Sequence, residues 1–189
     1  MTLNKHLIDT VTQRILSFLA KFCDQDFYER QIARKIGIAY GSANRALNQL
    51  HSTGAIRRRQ VGKMYFYSVD SSNIAIVEFK KLINMMLIEP LAEELKNISS
   101  RIVLYGSCAR GVDTSHSDLD LFIVSNDKEQ LMEAISSFGF PPGFEDIHIQ
   151  AVIKSPVEFL EAGESEQAFL AEVEQGIILW ERAANEPRL

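Results

Sequence analysis

The chain has 189 residues, of which 46% are hydrophobic, so it is long and apolar enough for one large or two small globular domains. No run of eighteen apolar residues occurs, no apolar signal region begins the chain, and Cys23 and Cys108 lack metal-type spacing. We therefore expect a soluble, cytoplasmic protein without a disulfide scaffold or a zinc site. The net charge of −5 hides a basic module, because residues 1–70 carry 11 Lys or Arg against 5 Asp or Glu, whereas residues 71–189 carry 9 against 20.

Three helices are predicted in the basic module. The first is amphipathic, because apolar residues recur at helical spacing: Leu7, Ile8, Val11, Ile15, Leu16 and Leu19. Residues 28–36 predict a short second helix that stops at Gly37. Residues 42–52 predict a third helix, with apolar residues at spacings of three and four. The second and third helices are therefore expected to form a helix-turn-helix pair.

A predicted β-hairpin follows these helices. Residues 55–60 and 64–69 are β-rich runs, and residues 61–63 between them form the turn. Together with the three helices, the hairpin resembles a winged helix-turn-helix DNA-binding domain, which we place at residues 1–70 with residues 57–63 as the wing.

This resemblance implies that the third helix lies in a DNA major groove while the wing meets backbone phosphates. The residues expected to contact double-stranded DNA are Tyr40, Asn44, Arg45, Asn48, Arg57, Arg58, Arg59 and Lys63. Asparagine and arginine pair bidentately with adenine and guanine edges, and each neutralised phosphate strengthens binding through counterion release. The alternative is a protein-interaction module with a solvated basic hairpin.

A helical segment, residues 71–98, is expected to connect this module to a second domain. Its apolar-rich part, residues 74–88, predicts a buried helix, and Pro90 is expected to open a further helix at its first turn. Met85 and Met86 are interpreted as core residues. They suit a seam between two copies of the chain equally well, since a homodimer would match a two-fold DNA site.

The strongest functional signal begins at a short β-rich run, residues 102–105. Gly106 directly after it lets the backbone turn sharply and approach a ligand closely. If residues 107–110 open a helical turn, its unpaired N–H groups bind an anion, and the Ser107 hydroxyl and the Arg110 guanidinium are further donors. The sequence therefore predicts a phosphate cradle.

Two carboxylates, Asp118 and Asp120, follow at alternating positions of the next predicted strand. With a period of two, both leave the same face of that strand. Because neighbouring carboxylates repel one another, a divalent cation between them is the natural neutraliser, and hard oxygen ligands suit Mg²⁺ or Mn²⁺. A turn-rich loop at residues 138–144, further along the chain, is expected to border the same pocket.

These motifs together resemble the signature of the polymerase β-type nucleotidyltransferases, especially their minimal members. The matching residues are Gly-Ser at 106–107, Arg-Gly at 110–111 and Ser-Asp-Leu-Asp-Leu from Ser117. The resemblance covers roughly residues 100–180, and we place the domain at residues 99–189. It implies an α+β fold, a mixed β-sheet with flanking helices.

The resemblance also implies nucleotidyl transfer, in which an acceptor hydroxyl attacks the α-phosphorus of a nucleoside triphosphate. The expected triphosphate-binding residues are Gly106, Ser107 and Arg110. Asp118 and Asp120 are the expected metal ligands and catalytic residues, holding two metal ions.

A third carboxylate, on a neighbouring strand, belongs to the family pattern, and here the sequence departs from it. Counted back from the helix start predicted at residues 155–159, the third position falls on Gln150, a neutral amide. Asp146 shares its face but lies four residues away, roughly 13 Å along a strand. His148, one pleat nearer than Asp146, is the alternative base or ligand at this position.

Two functions therefore remain open at the level of sequence. The first is a Mg²⁺-dependent nucleotidyltransferase that modifies a protein, a small molecule or a nucleic acid, while the DNA-binding module targets it or regulates its own operon. The second is a DNA-binding transcriptional regulator whose catalytically degenerate transferase fold only senses a nucleotide, for which Gln150 is the support.

Overall fold

Three helices and a small sheet make up the first part of the chain in a computed structural model, which describes residues 10–161, 163 and 166–182. The helices are α1 (Val11–Lys21), α2 (Glu29–Lys35) and α3 (Tyr40–Ser52). The strands β1 (Phe27–Tyr28), β2 (Arg57–Val61) and β3 (Met64–Ser68) pair antiparallel in the order β1-β3-β2.

The first helix begins at a strong cap. The Thr10 hydroxyl accepts from the backbone N–H of Gln13, whose side chain accepts from the Thr10 N–H in return, and this capping box satisfies N–H groups at the helix start. On the apolar face of α1, Ile15 and Leu19 are fully buried. Of the positions that predict this helix, Leu7 and Ile8 lie outside the described residues.

The hairpin of β2 and β3 turns over Gly62 and Lys63, and Gly62 has a φ of +60°, a value that a two-residue hairpin turn requires. The sequence predicts this hairpin correctly. It misses the third strand, β1, whose Phe27 pairs with Tyr67 on β3. A two-residue strand is too short to leave a periodic pattern.

A single helix, α4 (Ile74–Leu95), follows and contains Pro90 in its interior. The prediction that Pro90 opens a new helix is therefore wrong. Proline removes one backbone hydrogen bond, but its exposed ring faces solvent, while Ile88 and Leu91 on either side are fully buried. Packing on both sides of the proline holds the helix continuous.

The second part contains a four-stranded mixed sheet in the order β6-β5-β4-β7. Its strands are β4 (Arg101–Tyr105), β5 (Leu119–Val124), β6 (Ile149–Lys154) and β7 (Ile177–Glu181), and only β5 and β6 run parallel. Its helices are α5 (Gly106–Arg110), α6 (Lys128–Ser137), α7 (Pro156–Leu160) and α8 (Gln167–Glu174). The predicted α+β class with a mixed sheet and flanking helices is confirmed.

The two faces of this sheet bury different partners. On one face, Ile102 and Leu121 belong to a large apolar cluster that continues through α4 into α1, α2 and α3. On the other face, Val103 and Phe122 form a smaller cluster with Val173 of α8. Within the described ranges, no helix is both long and apolar enough to cross a membrane.

Candidate functional site

The phosphate loop predicted at Gly106 has a conformation that only glycine permits. Gly106 is the buried first residue of α5, directly after β4, and has a φ of +70°. A Cβ atom added there would collide with the carboxylate of Asp120 on the neighbouring strand. The loop and the carboxylate therefore lie in direct contact, and both depend on the absence of a side chain.

The short helix α5 presents the other loop residues. Ser107 is half-buried and Arg110 is exposed, whereas Cys108 between them is buried and its Sγ donates to the carbonyl of Asp118 at 3.2 Å. Burial raises the pKa of the Cys108 thiol to about 11, so this side chain remains a neutral packing group that ties the loop to β5.

A buried ionic cluster anchors the loop that follows α5. Lys21 Nζ donates to Asp113 Oδ2 at 2.7 Å and to Asn84 Oδ1 at 2.8 Å, and Lys80 Nζ lies 3.5 Å from Asp113 Oδ1. Asn84 Nδ2 in turn donates to the carbonyl of Cys108 at 3.0 Å. Helices α1 and α4 therefore hold the predicted phosphate loop in place from the side of the core.

The sequence interpretation misses this cluster. One signal was present, because Lys80 occupies a position in the apolar stripe of α4, together with Ile76, Ile83 and Leu87. A lysine on a core-facing stripe indicates a buried partner.

The two aspartates lie at the start of β5 and are both half-buried. Asp120 pairs across the sheet with Tyr105 on β4, while Asp118 immediately precedes the strand. Burial raises the pKa of Asp120, and the neighbouring charges of Asp118 and Glu172 raise it further against the opposing effect of Arg110. This concentration of negative charge is a place where a cation is stabilised.

The parallel pairing of β5 and β6 shows which residue of β6 lies beside Asp120. Asp120 stands directly beside Gln150, as the sequence count predicts. His148 is exposed and precedes β6, and its carbonyl accepts from the N–H of Leu119 at 2.9 Å. Asp146 points elsewhere, because its 84% exposed side chain lies 3.5 Å from Lys35 of α2.

Glu172 is a carboxylate near the site that sequence reasoning does not identify. It lies on α8, and its Oε1 accepts from Arg110 Nη1 at 3.0 Å. No motif marks it, since it is one of two glutamates in that helix and the packing of α8 on the sheet brings it here.

The residues predicted to contact DNA lie on α3, at its start and on the hairpin, where Arg58 leaves one face of β2 and Arg57 and Arg59 leave the other. Arg58 Nη1 donates to Asn48 Oδ1 at 3.2 Å, and Asn48 donates to Asn44 at 3.2 Å, so helix and hairpin are joined. Arg57 and Arg59 form ion pairs with Asp70 at 2.5 Å and Asp26 at 2.6 Å. The remaining predicted residues, Tyr40, Arg45 and Lys63, are also exposed.

The loop of residues 138–144 does not border the phosphate loop, so that prediction is wrong. Phe144 packs on the aromatic rings of Phe18 and Phe22, at centroid distances of 6.4 and 6.1 Å. The apolar side chains of this loop pack against the core of the N-terminal helices rather than against the polar site.

In the described parts of the chain, no group of three or more His, Cys, Asp or Glu side chains is arranged to hold a metal ion. Asp118, Asp120 and the side-chain amide oxygen of Gln150 offer hard oxygen donors. Such donors suit a divalent cation whose remaining coordination positions are taken by phosphate oxygens.

A comparison with family models matches the nucleotidyltransferase domain to residues 85–180, just over half of the chain. No solved structure matches the chain.

Proposed function

We propose, from the premise that this chain belongs to the nucleotidyltransferase domain family, that it transfers a nucleoside monophosphate from a nucleoside triphosphate to an acceptor hydroxyl with Mg²⁺. The observation that carries the proposal is the contact between Gly106 and Asp120, which joins the phosphate loop to the carboxylates. A loop that binds the triphosphate and a carboxylate that holds the metal would therefore lie in direct contact.

Each residue has a role in this proposal. The triphosphate is bound by the loop N–H groups, Ser107 and Arg110. When it binds, the hydrogen bond from Arg110 to Glu172 is replaced by one from Arg110 to a phosphate oxygen. Asp118 and Asp120 hold the metal. When bound, Mg²⁺ or Mn²⁺ would neutralise the charge of the phosphate oxygens and activate the acceptor hydroxyl.

Gln150 limits the chemistry that the chain itself can perform. An amide donates and accepts hydrogen bonds, but it does not take up a proton near neutral pH. Gln150 can therefore orient an acceptor beside Asp120, whereas the proton of the attacking hydroxyl passes to solvent or to Asp120.

The test is pyrophosphate release with Mg²⁺, each of the four nucleoside triphosphates, and protein, small-molecule and nucleic-acid acceptors. We expect release with at least one pair and its loss in Asp118→Ala and Asp120→Ala. Asp146→Ala, which removes an exposed carboxylate outside the site, is the matched control and retains activity. Equal release by the wild type and both site variants contradicts the proposal.

We further propose that the N-terminal part is a winged helix that binds double-stranded DNA and targets the transferase or regulates its own operon. The contact between α3 and the hairpin supports it, because Arg58 lies against Asn48 and the arginine side chains of the hairpin are exposed. The proposed division is residues 1–70 for DNA binding, 71–98 for the connection and 99–189 for the transferase. A homodimer of such modules suits a two-fold DNA site.

A second candidate function is a regulator that binds nucleotide and DNA without catalysis, which the position of Gln150 beside Asp120 favours. Gln150→Asp separates the two. A gain of pyrophosphate release by about tenfold or more indicates that the missing carboxylate limits the natural chain. Strong release by the wild type that Gln150→Asp does not raise argues against the regulator.

A further inference from the structure

A cavity of about 300 Å³ lies away from both the phosphate loop and the hairpin surface. Its walls come from α1, the end of α2, α4 and the loop of residues 138–144, so both parts of the chain contribute to it. Apart from Arg14 and Ser17 of α1, the lining side chains that belong to described residues are all apolar. Neither proposed function uses this cavity.

The two polar residues of the lining lack a complete set of partners. Ser17 is fully buried, and its hydroxyl has no hydrogen-bond partner within the described residues. An unpaired buried hydroxyl costs on the order of 1–3 kcal/mol, so a ligand that accepts from it recovers that loss. Arg14 donates through Nη2 to the carbonyl of Ile36, and the same guanidinium has further N–H donors.

The loop of residues 138–144 packs tightly against α1 and the end of α2 next to the cavity. Gly143 has a φ of +94°, and a Cβ atom added there would lie 2.8 Å from Ile36 Cγ2 and 3.3 Å from Phe18 Cδ2. The loop therefore approaches α1 and α2 as closely as glycine allows. Phe144 beside it lies between the cavity and the ring of Phe22. Such packing gives a preformed site.

We propose that this cavity binds a small carboxylic acid with an aromatic or branched apolar body. Among the described residues that line the cavity, Arg14 is the one charged side chain and none is a carboxylate, so this lining favours an anion. The Ser17 hydroxyl donates a second hydrogen bond. The volume is about twice the roughly 150 Å³ of a cavity that holds benzene, which leaves room for a ring and a short acid chain. A ligand there contacts both parts of the chain and favours the arrangement in which they are packed together.

The probe for the test is 4-phenylbutyrate, with 4-phenylbutanol as its neutral twin, titrated into the full chain carrying ¹³C-methyl methionine. We expect saturable 1:1 binding of the acid with Kd below about 1 mM and a shift of the Met86 methyl signal, since Met86 lines the cavity. Met64 and Met132 are exposed elsewhere, at 51% and 49%, and their signals are expected to stay unchanged.

Variants decide whether the binding uses the proposed groups. We expect Arg14→Gln to weaken the acid about tenfold, Ser17→Ala to weaken it several-fold, and Arg34→Gln, the matched charge control outside the cavity, to leave it unchanged. Leu87→Trp fills the cavity and is expected to abolish binding. The proposal is overturned by absence of saturable binding up to about 10 mM, by equal affinity for the alcohol, or by acid binding that survives Arg14→Gln unaltered. None of these readouts depends on nucleotidyl transfer.

Discussion

The charged side chains next to the predicted phosphate loop and those on the hairpin differ in how far they are exposed to solvent. Lys21 and Asp113 are completely buried and bind each other, although they lie 92 residues apart in sequence. Arg57 and Arg59 also form ion pairs, but their side chains remain 67% and 64% exposed. Buried charges have no spare capacity for a ligand and therefore fix geometry, whereas exposed ones can exchange a carboxylate for an external phosphate.

Removing a buried charge is expected to have the largest effect on stability. Lys21→Met leaves Asp113 without its 2.7 Å partner, and we expect a loss of about 3 kcal/mol in the free energy of unfolding. Lys35→Met breaks the exposed pair with Asp146 and is expected to cost less than about 0.5 kcal/mol. Urea unfolding of the two variants measures the difference. Equal losses would remove the contrast between the two kinds of charge.

Gly106→Ala tests the loop that the buried cluster supports. The new Cβ atom collides with the Asp120 carboxylate in a backbone conformation that alanine rarely adopts. We expect pyrophosphate release to fall about 100-fold, because a displacement of about 1 Å misaligns the reacting groups. DNA affinity, measured by fluorescence anisotropy, is expected to stay unchanged. A wild-type rate in this variant contradicts the proposed loop.

The hairpin charges are expected to act through salt-dependent DNA binding alone. Replacing Arg57, Arg58 and Arg59 by alanine is expected to lower the slope of log K against log salt by roughly 3, because each phosphate contact contributes about 0.9. Folding is expected to change little, since all three side chains are exposed. A slope equal to that of the wild type would show that these arginines do not contact phosphates.

Asp120→Asn is expected to have a small effect on the free energy of unfolding, opposite in sign to that of Lys21→Met. Burial and the charges of Asp118 and Glu172 raise the pKa of Asp120, so its ionised form destabilises the metal-free fold at neutral pH. That cost is complete above the raised pKa of the folded state and vanishes as pH falls below the ordinary pKa of aspartate. The variant is expected to be more stable by up to about 1 kcal/mol at pH 7 and no more stable at pH 3, by thermal unfolding. Lower stability at pH 7 would contradict this reading.

Local patterns in the sequence predict the parts of the site that depend on a single strand or turn. The two-residue period identifies Asp118 and Asp120, and counting from the helix after β6 identifies Gln150 beside Asp120. The Lys21–Asp113 pair was not predictable, because it depends on the packing of α1 against a loop far along the chain.

Tertiary packing also explains two further differences between the sequence pattern and the structure. Pro90 is a local signal for a helix start, yet burial on both sides of it keeps α4 continuous. Glu172 similarly reaches Arg110 only because α8 covers one face of the sheet. Where tertiary packing outweighs local preference, the sequence pattern alone gives the wrong answer or none.

The most direct test of the central claim, that Gly106 and Asp120 belong to one triphosphate and metal site, is equilibrium binding of non-hydrolysable nucleoside triphosphates by calorimetry. We predict that at least one triphosphate binds saturably and 1:1 in the presence of Mg²⁺. Its affinity is expected to fall at least about tenfold when EDTA replaces Mg²⁺, and equally in Asp118→Ala with Mg²⁺. Binding of equal strength with and without Mg²⁺, or no binding of any triphosphate to the natural chain, would contradict the account.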